Sequence, residues 1–181
     1  MSNADLAPGG KNLVLIGMPG VGKSTAGVLL AKELSRGFLD TDVVIQSHEG
    51  RRLRDIIERE GVIAFRAIEE RYLLGLECHG VVIATGGSAV YSEPAMRHLR
   101  DHGIVVHLSL PIEQIEQRVH DLEARGIVRA EGQTLLELYE ERQPLYCRYR
   151  HCEVDCAGQN HEAVVQAIIA AVSGLGPAST L

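Results

Sequence analysis

The sequence has no apolar run long enough to span a bilayer, no excess of basic residues, no paired C-x-x-C knuckle, and no internal repeat or low-complexity tract. Each absence removes a class of function. A net charge of −6 and a pI near 5.7 argue against a broad basic field, which nucleic acid or an anionic membrane surface would require. Neither is expected as a partner, and an anionic ligand has to be met by local arginines. The opening stretch to Lys11 is polar and contains glycine and proline, unlike the charged-then-apolar pattern of a secretory leader. A cytoplasmic chain with free thiols is therefore expected. Cys147, Cys152 and Cys156 fall close together with His151, a grouping that admits zinc as an alternative to simple burial.

What is present is an ordinary globular composition, 45% apolar and 23% charged over 181 residues, enough for one domain with a buried core. The domain is expected over 11–173, with flexible ends at 1–10 and 174–181. Residues 13–16 form a continuous apolar run ending in glycine, which suits a buried parallel strand. A helical pattern follows over 23–34, then a short strand at 38–39. Two helices separated at Gly61 are expected over 53–79, followed by a strand at 81–84. Ser92 before Pro94 marks a helix start. A strand over 104–108 and a helix over 111–122 come next. Thr134 and Glu137 have capping-box spacing, so a helix should run to about 148. A last strand at 152–156 and a helix capped by Asn160 complete the pattern. Apolar strands alternating with helices predict a parallel sheet covered on both faces, a three-layer α/β/α domain. The polar, glycine-punctuated stretch 123–133, with Arg125 and Arg129, is a candidate mobile lid.

Gly17-Met-Pro-Gly20-Val-Gly22-Lys23-Ser24 matches the G-x-x-x-x-G-K-[ST] phosphate loop in full, between a predicted strand and a predicted helix. Its glycines let successive amides turn inward, and the helix N-terminus reinforces the concave anion site. Gly20, Val21, Gly22, Lys23, Ser24 and Thr25 are thus the nucleotide-binding candidates. Lys23 would reach the β- and γ-phosphates, and the Ser24 hydroxyl can give one oxygen to Mg²⁺. ATP and Mg²⁺ are the expected cofactors. The loop does not name the acceptor. No Asn-Lys-x-Asp segment for guanine is present, which disfavours a GTP switch.

Beyond the loop come Asp40-Thr41-Asp42, Phe65-Arg66-Ala-Ile-Glu69, Thr85-Gly86-Gly87-Ser88-Ala89-Val90 and Arg142-Gln-Pro-Leu-Tyr146. In that order and spacing the set resembles the shikimate kinase family, and the likeness runs over about 12–172. The resemblance implies a fold like that of nucleoside monophosphate kinases, with a five-stranded parallel sheet and a lid. It implies transfer of the ATP γ-phosphoryl group to the 3-hydroxyl of shikimate in aromatic amino-acid biosynthesis, by a monomer. By the same matching, Asp40 would hold magnesium and Asp42 would contact the reacting diol. Arg66 and Arg142 would grip the shikimate carboxylate, with Glu69 orienting an arginine and Gly86 and Gly87 approaching the ring. Arg118 would pack on adenine, and Arg125 would meet the phosphates from the lid. Lys23, Asp42 and Arg125 are the expected catalytic residues.

Two departures bear on the acceptor. The family usually has a third glycine where this chain has Ser88, and its lid arginine is normally followed by Pro-Leu-Leu, where Arg125 is followed by Gly-Ile-Val. They leave open a related kinase for another small hydroxyl acceptor, such as gluconate or homoserine, and a nucleotide-binding module without turnover. Plainer roles also stand: Asp40 and Asp42 as turn or cap residues, Arg66 as an ion-pair partner of Glu69 or Glu70 one turn away, and Arg142 as a surface arginine.

Overall fold

The computed structural model describes residues 10–119, 127–130 and 132–175. The apolar run becomes β1 (Asn12–Ile16), followed by α1 (Lys23–Glu33), β2 (Gly37–Asp40), α2 (Thr41–Glu49) and α3 (Leu53–Leu74). Then come β3 (Val81–Ala84), a 3-10 turn at Ala89–Tyr91, α4 (Glu93–His102), β4 (Gly103–Ser109) and α5 (Ile112–Arg118). The chain continues through α6 (Leu135–Tyr149), β5 (Cys152–Asp155) and α7 (His161–Gly174).

The strands form one sheet in the order β2-β3-β1-β4-β5. All four pairings are parallel, with Val14 opposite Ile83 on one side and Val105 on the other. All five residues of β1 are buried, as are all but the last of β4. Successive strand residues point to opposite faces, so burial of consecutive residues means that helices cover both sides. α1 packs on β1, β2 and β3 and against α7, which covers β4 and β5; α4 and α6 pack on β4. The three-layer, five-stranded parallel architecture read from the sequence is the one observed.

Helix starts follow their capping residues. Ser92 Oγ accepts from the Ala95 amide at 3.1 Å, Asn160 Oδ1 from Ala163 at 2.8 Å, and Thr134 forms a full capping box with Glu137. Gly61, at φ 85° and ψ 167°, interrupts α3 where a break was expected. α2 was not foreseen. It holds only one buried apolar side chain, Ile45, with Val43 exposed, so it carries little helical periodicity.

Among the described residues the apolar interior falls into two groups. The larger surrounds the sheet; the smaller comprises Ile45, Leu53, Ile56, Phe65 and Val128. The second thus joins α2 and α3 to Val128, within the described part of the expected lid. Of that lid, 123–126 and 131 lie outside the described residues, as does the end of the helix expected over 111–122. Among the described residues no helix is long and apolar enough to cross a membrane.

Candidate active site

The parallel topology puts every strand-to-helix connection that carries a motif at the carboxyl edge of the sheet, where ligands of open α/β sheets bind. The phosphate loop leaves β1 there, Asp40 ends β2, and Gly86-Gly87 follows β3. In the loop Gly20 and Gly22 have φ of 83° and 107°, left-handed values that cost glycine nothing and other residues strain. Lys23 is buried, and its Nζ donates to the carbonyls of Gly17 at 2.9 Å and Met18 at 3.0 Å. The lysine therefore arches over the loop that its own helix supports.

Ser24 Oγ donates to Asp40 Oδ2 at 2.6 Å. The other oxygen of Asp40, Oδ1, accepts from the Asp42 and Val43 amides at 3.0 and 3.4 Å and caps α2. One carboxylate therefore serves both as a cap and as an oxygen beside the phosphate loop. A hydroxyl and a carboxylate next to an anion cradle suit Mg²⁺, which takes few protein ligands and fills its octahedron with phosphate oxygens and water.

Across the cleft the Gly86-Gly87 loop is packed too closely for side chains. A Cβ on Gly87 would lie 2.7 Å from Arg142 Nη1 and 3.0 Å from Pro19 Cδ. A Cβ on Gly86 would meet Glu69 Oε1 and, at 2.8 Å, Asp42 Oδ1. Thr41 Oγ1 accepts from the Gly86 amide at 3.1 Å, and the Tyr146 hydroxyl donates to the Gly87 carbonyl at 3.0 Å. Arg142 is 1% exposed; it donates through Nε to the Tyr91 hydroxyl at 3.2 Å and through Nη2 to the Val128 carbonyl. Lys23, Ser24, Asp42, Gly86, Gly87 and Arg142 all line one cleft of about 910 Å³.

A family model described as shikimate kinase matches residues 19–173. The chain belongs to the shikimate kinase family. A shikimate kinase of Thermosynechococcus vestitus is 39% identical over 143 residues, 77% of this chain and 78% of that protein. Shikimate kinase 2 of an Enterobacter species is 34% identical over 88% of this chain and 94% of its own length. Among solved structures, the Acinetobacter baumannii shikimate kinase in complex with shikimate superposes with a TM-score of 0.82 at 34% identity, covering 88% of this chain and 90% of that one. The likeness thus spans both the phosphate loop and the acceptor side.

Within this family member burial sets the charges. Lys23 is lowered to about 8 by loss of water, an effect that Asp42 opposes. Asp42 is raised to about 6, first by burial and then by Asp40, against the pull of Lys23. Burial raises Glu69 to about 7, while a hydrogen bond from Ser88 acts the other way. Ser88 Oγ donates to Glu69 Oε2 at 2.6 Å. Ser88 has φ −90° and ψ −9°, a helical conformation open to any residue, so the missing third glycine is not a backbone requirement here.

The structure brings most of the sequence-predicted residues together. Thr25 and Gly20 line the cleft, and Arg118 stands at its far end, donating to the Val21 carbonyl at 3.4 Å. Val21 itself is buried and, with Asp40, Arg66 and Glu69, stands off the cleft wall. No ion pair joins Arg66 to Glu69 or Glu70 among the described residues; its guanidinium instead lies 3.6 Å from the centre of the Tyr91 ring. Arg142 is buried rather than on the surface. Arg125 lies outside the described residues. The sequence reading missed Tyr91, Val128 and the Gln159-Asn160-His161 wall. Asn160 was legible only as a cap, and Tyr91 sits alone in a turn without periodicity. The His151 ring, considered for zinc, accepts from the Val105 amide through Nδ1 at 2.9 Å, and among the described residues no group of three His, Cys, Asp or Glu side chains could hold a metal ion.

Proposed function

We propose that the protein transfers the γ-phosphoryl group of ATP, as its magnesium complex, to the 3-hydroxyl of shikimate, acting as a cytoplasmic monomer in aromatic amino-acid biosynthesis. The observation that carries this reading is the shared cleft: the phosphate loop lines one wall, and Asp42, Gly86-Gly87 and Arg142 line the other. The acidic chain meets an anionic acceptor with local arginines, Arg142 among them fully buried, rather than with a general basic field.

The loop amides and Lys23 hold the β- and γ-phosphates. Ser24 and Asp40 would hold Mg²⁺, which when bound neutralises phosphate charge. Arg142 fixes the acceptor carboxylate, and the glycines at 86 and 87 let its ring approach. The acceptor oxygen then attacks the γ-phosphorus, the bond to the β–γ bridging oxygen breaks, and ADP leaves with that oxygen. The hydroxyl proton passes to Asp42. A group titrating at about 6 is mostly ionised at neutral pH and close enough to it to accept a proton late. Because phosphoryl transfer proceeds through a loose transition state, holding the reactants in line is the larger task.

Ser88 turns its hydroxyl onto Glu69, so it offers no specific donor to a different acceptor. The test is ADP release with Mg-ATP and a panel of shikimate, gluconate, homoserine and nucleoside monophosphates. Turnover with shikimate at least about a hundredfold above the others is expected, given a site built to pair a carboxylate. Preference for another acceptor, or ATP binding without turnover, would overturn the assignment.

A further inference from the structure

We propose that Tyr91 is a positioning residue that gathers Arg66 and Arg142 into one clamp for a planar carboxylate on the phosphoryl acceptor; the proposal rests on reading this cleft as a site for a carboxylated alcohol. The two arginines belong to different helices, α3 and α6, and they meet at this one side chain. The Arg66 Cζ lies over the ring at 3.6 Å from its centre, and the Arg142 Cζ lies at 5.2 Å. Arg142 Nε also donates to the Tyr91 hydroxyl at 3.2 Å. Two like charges held side by side repel. A ring whose face is electron-rich attracts each of them and so makes the pairing tolerable.

What the ring leaves free matters as much as what it holds. A guanidinium stacked by its face keeps its in-plane N–H groups available, the edge that matches a carboxylate. Arg66 donates no hydrogen bond among the described residues, and its Nε is buried without a partner. Arg142 has Nε on Tyr91 and Nη2 on Val128, while Nη1 is the atom packed against Gly87 on the acceptor loop. Arg142 thus faces the cleft directly, and Arg66, set just behind the cleft wall, keeps its donors for a planar anion that reaches both.

The platform is anchored on two sides. Ser88 and Ser92, flanking Tyr91, donate to the consecutive glutamates Glu69 and Glu70 of α3 at 2.6 and 2.5 Å. On the other side the tyrosine hydroxyl contacts α6 by accepting from Arg142. The turn thus spans the two helices that deliver the arginines, with the ring at its centre.

The test compares Tyr91→Leu, which loses ring and hydroxyl, with Tyr91→Phe, which keeps the ring. KM values for ATP, shikimate and the carboxamide of shikimate are measured alongside thermal unfolding. For Tyr91→Leu the shikimate KM should rise about tenfold, the preference for carboxylate over carboxamide should shrink, and the ATP KM should stay within about twofold. Tyr91→Phe should show a smaller rise in the shikimate KM, roughly threefold, for loss of one hydrogen bond. An unchanged shikimate KM and carboxylate preference in Tyr91→Leu, whatever its melting temperature, overturns the proposal, as does a parallel rise in the ATP KM. If Tyr91→Leu does not fold, Tyr91→Phe decides alone, an unaltered shikimate KM counting against the proposal. Absence of shikimate turnover by the unsubstituted enzyme would instead overturn the reading of the cleft, and this inference with it.

Discussion

Replacing Asp42 by asparagine should make the protein more stable and nearly inactive, with the stability gain appearing only above a defined pH. The Asp42 carboxyl is driven from 3.8 to about 6 by burial and by neighbouring Asp40. Because the folded state binds this proton more tightly than the unfolded chain, the group contributes most stability below about pH 4, and that contribution is lost as pH rises through about 6. At about 1.4 kcal/mol per pH decade, the rise corresponds to roughly 3 kcal/mol at neutral pH. Asparagine keeps the shape without the charge, but it removes the partner that opposes the lowering of Lys23. A net gain of about 1–2 kcal/mol is therefore expected at pH 7, which for a chain of this size is roughly 2–8 °C in Tm. Calorimetry from pH 4 to pH 8 should show the variant level with the parent at the acid end and pulling ahead between about pH 4 and pH 6. Its kcat should fall at least about a hundredfold, the usual worth of a positioned proton acceptor. A variant that is less stable at pH 7, or whose Tm difference does not change with pH, would refute the claim that an incompletely compensated buried charge sits at this position.

Two further substitutions probe the two walls of the cleft. Gly87→Ala places a methyl 2.7 Å from Arg142 Nη1 and 3.0 Å from the Pro19 ring; overpacking of about 1–3 kcal/mol should raise the shikimate KM on the order of tenfold in steady-state assays, and normal kinetics would show that the loop has room to yield. Ser24→Ala removes both the oxygen proposed to hold Mg²⁺ and the 2.6 Å bond to Asp40. The Mg²⁺ concentration for half-maximal activity at fixed ATP should then rise about tenfold, and an unchanged titration would remove Ser24 from the metal site.

The phosphate loop and the strands were legible because each is local. An apolar run, a glycine spacing and a cap such as Thr134 or Asn160 are all decided within a few residues of chain. The acceptor side was legible only through the likeness of its motifs to a family, since nothing local says that Arg66 and Arg142 meet. Ser88 was visible only as a departure from the family pattern, because its φ and its hydrogen bond to Glu69 are products of the fold. α2 escaped notice because a single buried isoleucine gives no periodicity, although Asp40 and Asp42 had been read as cap candidates. Tyr91 and Val128 act through residues distant in sequence, a kind of contact that periodicity cannot report.

The small cluster of Ile45, Leu53, Ile56, Phe65 and Val128 has an implication for how such an enzyme can diverge. Leu53, Phe65 and Val128 line the cleft with Ile45 and Ile56 clustered behind them, and none of the five belongs to the core around the sheet that carries the phosphate loop. Substitutions among them would reshape the space offered to an alcohol while the machinery that grips the triphosphate kept its own foundations. A library confined to these five positions is thus a route to new acceptors that begins from an intact nucleotide site.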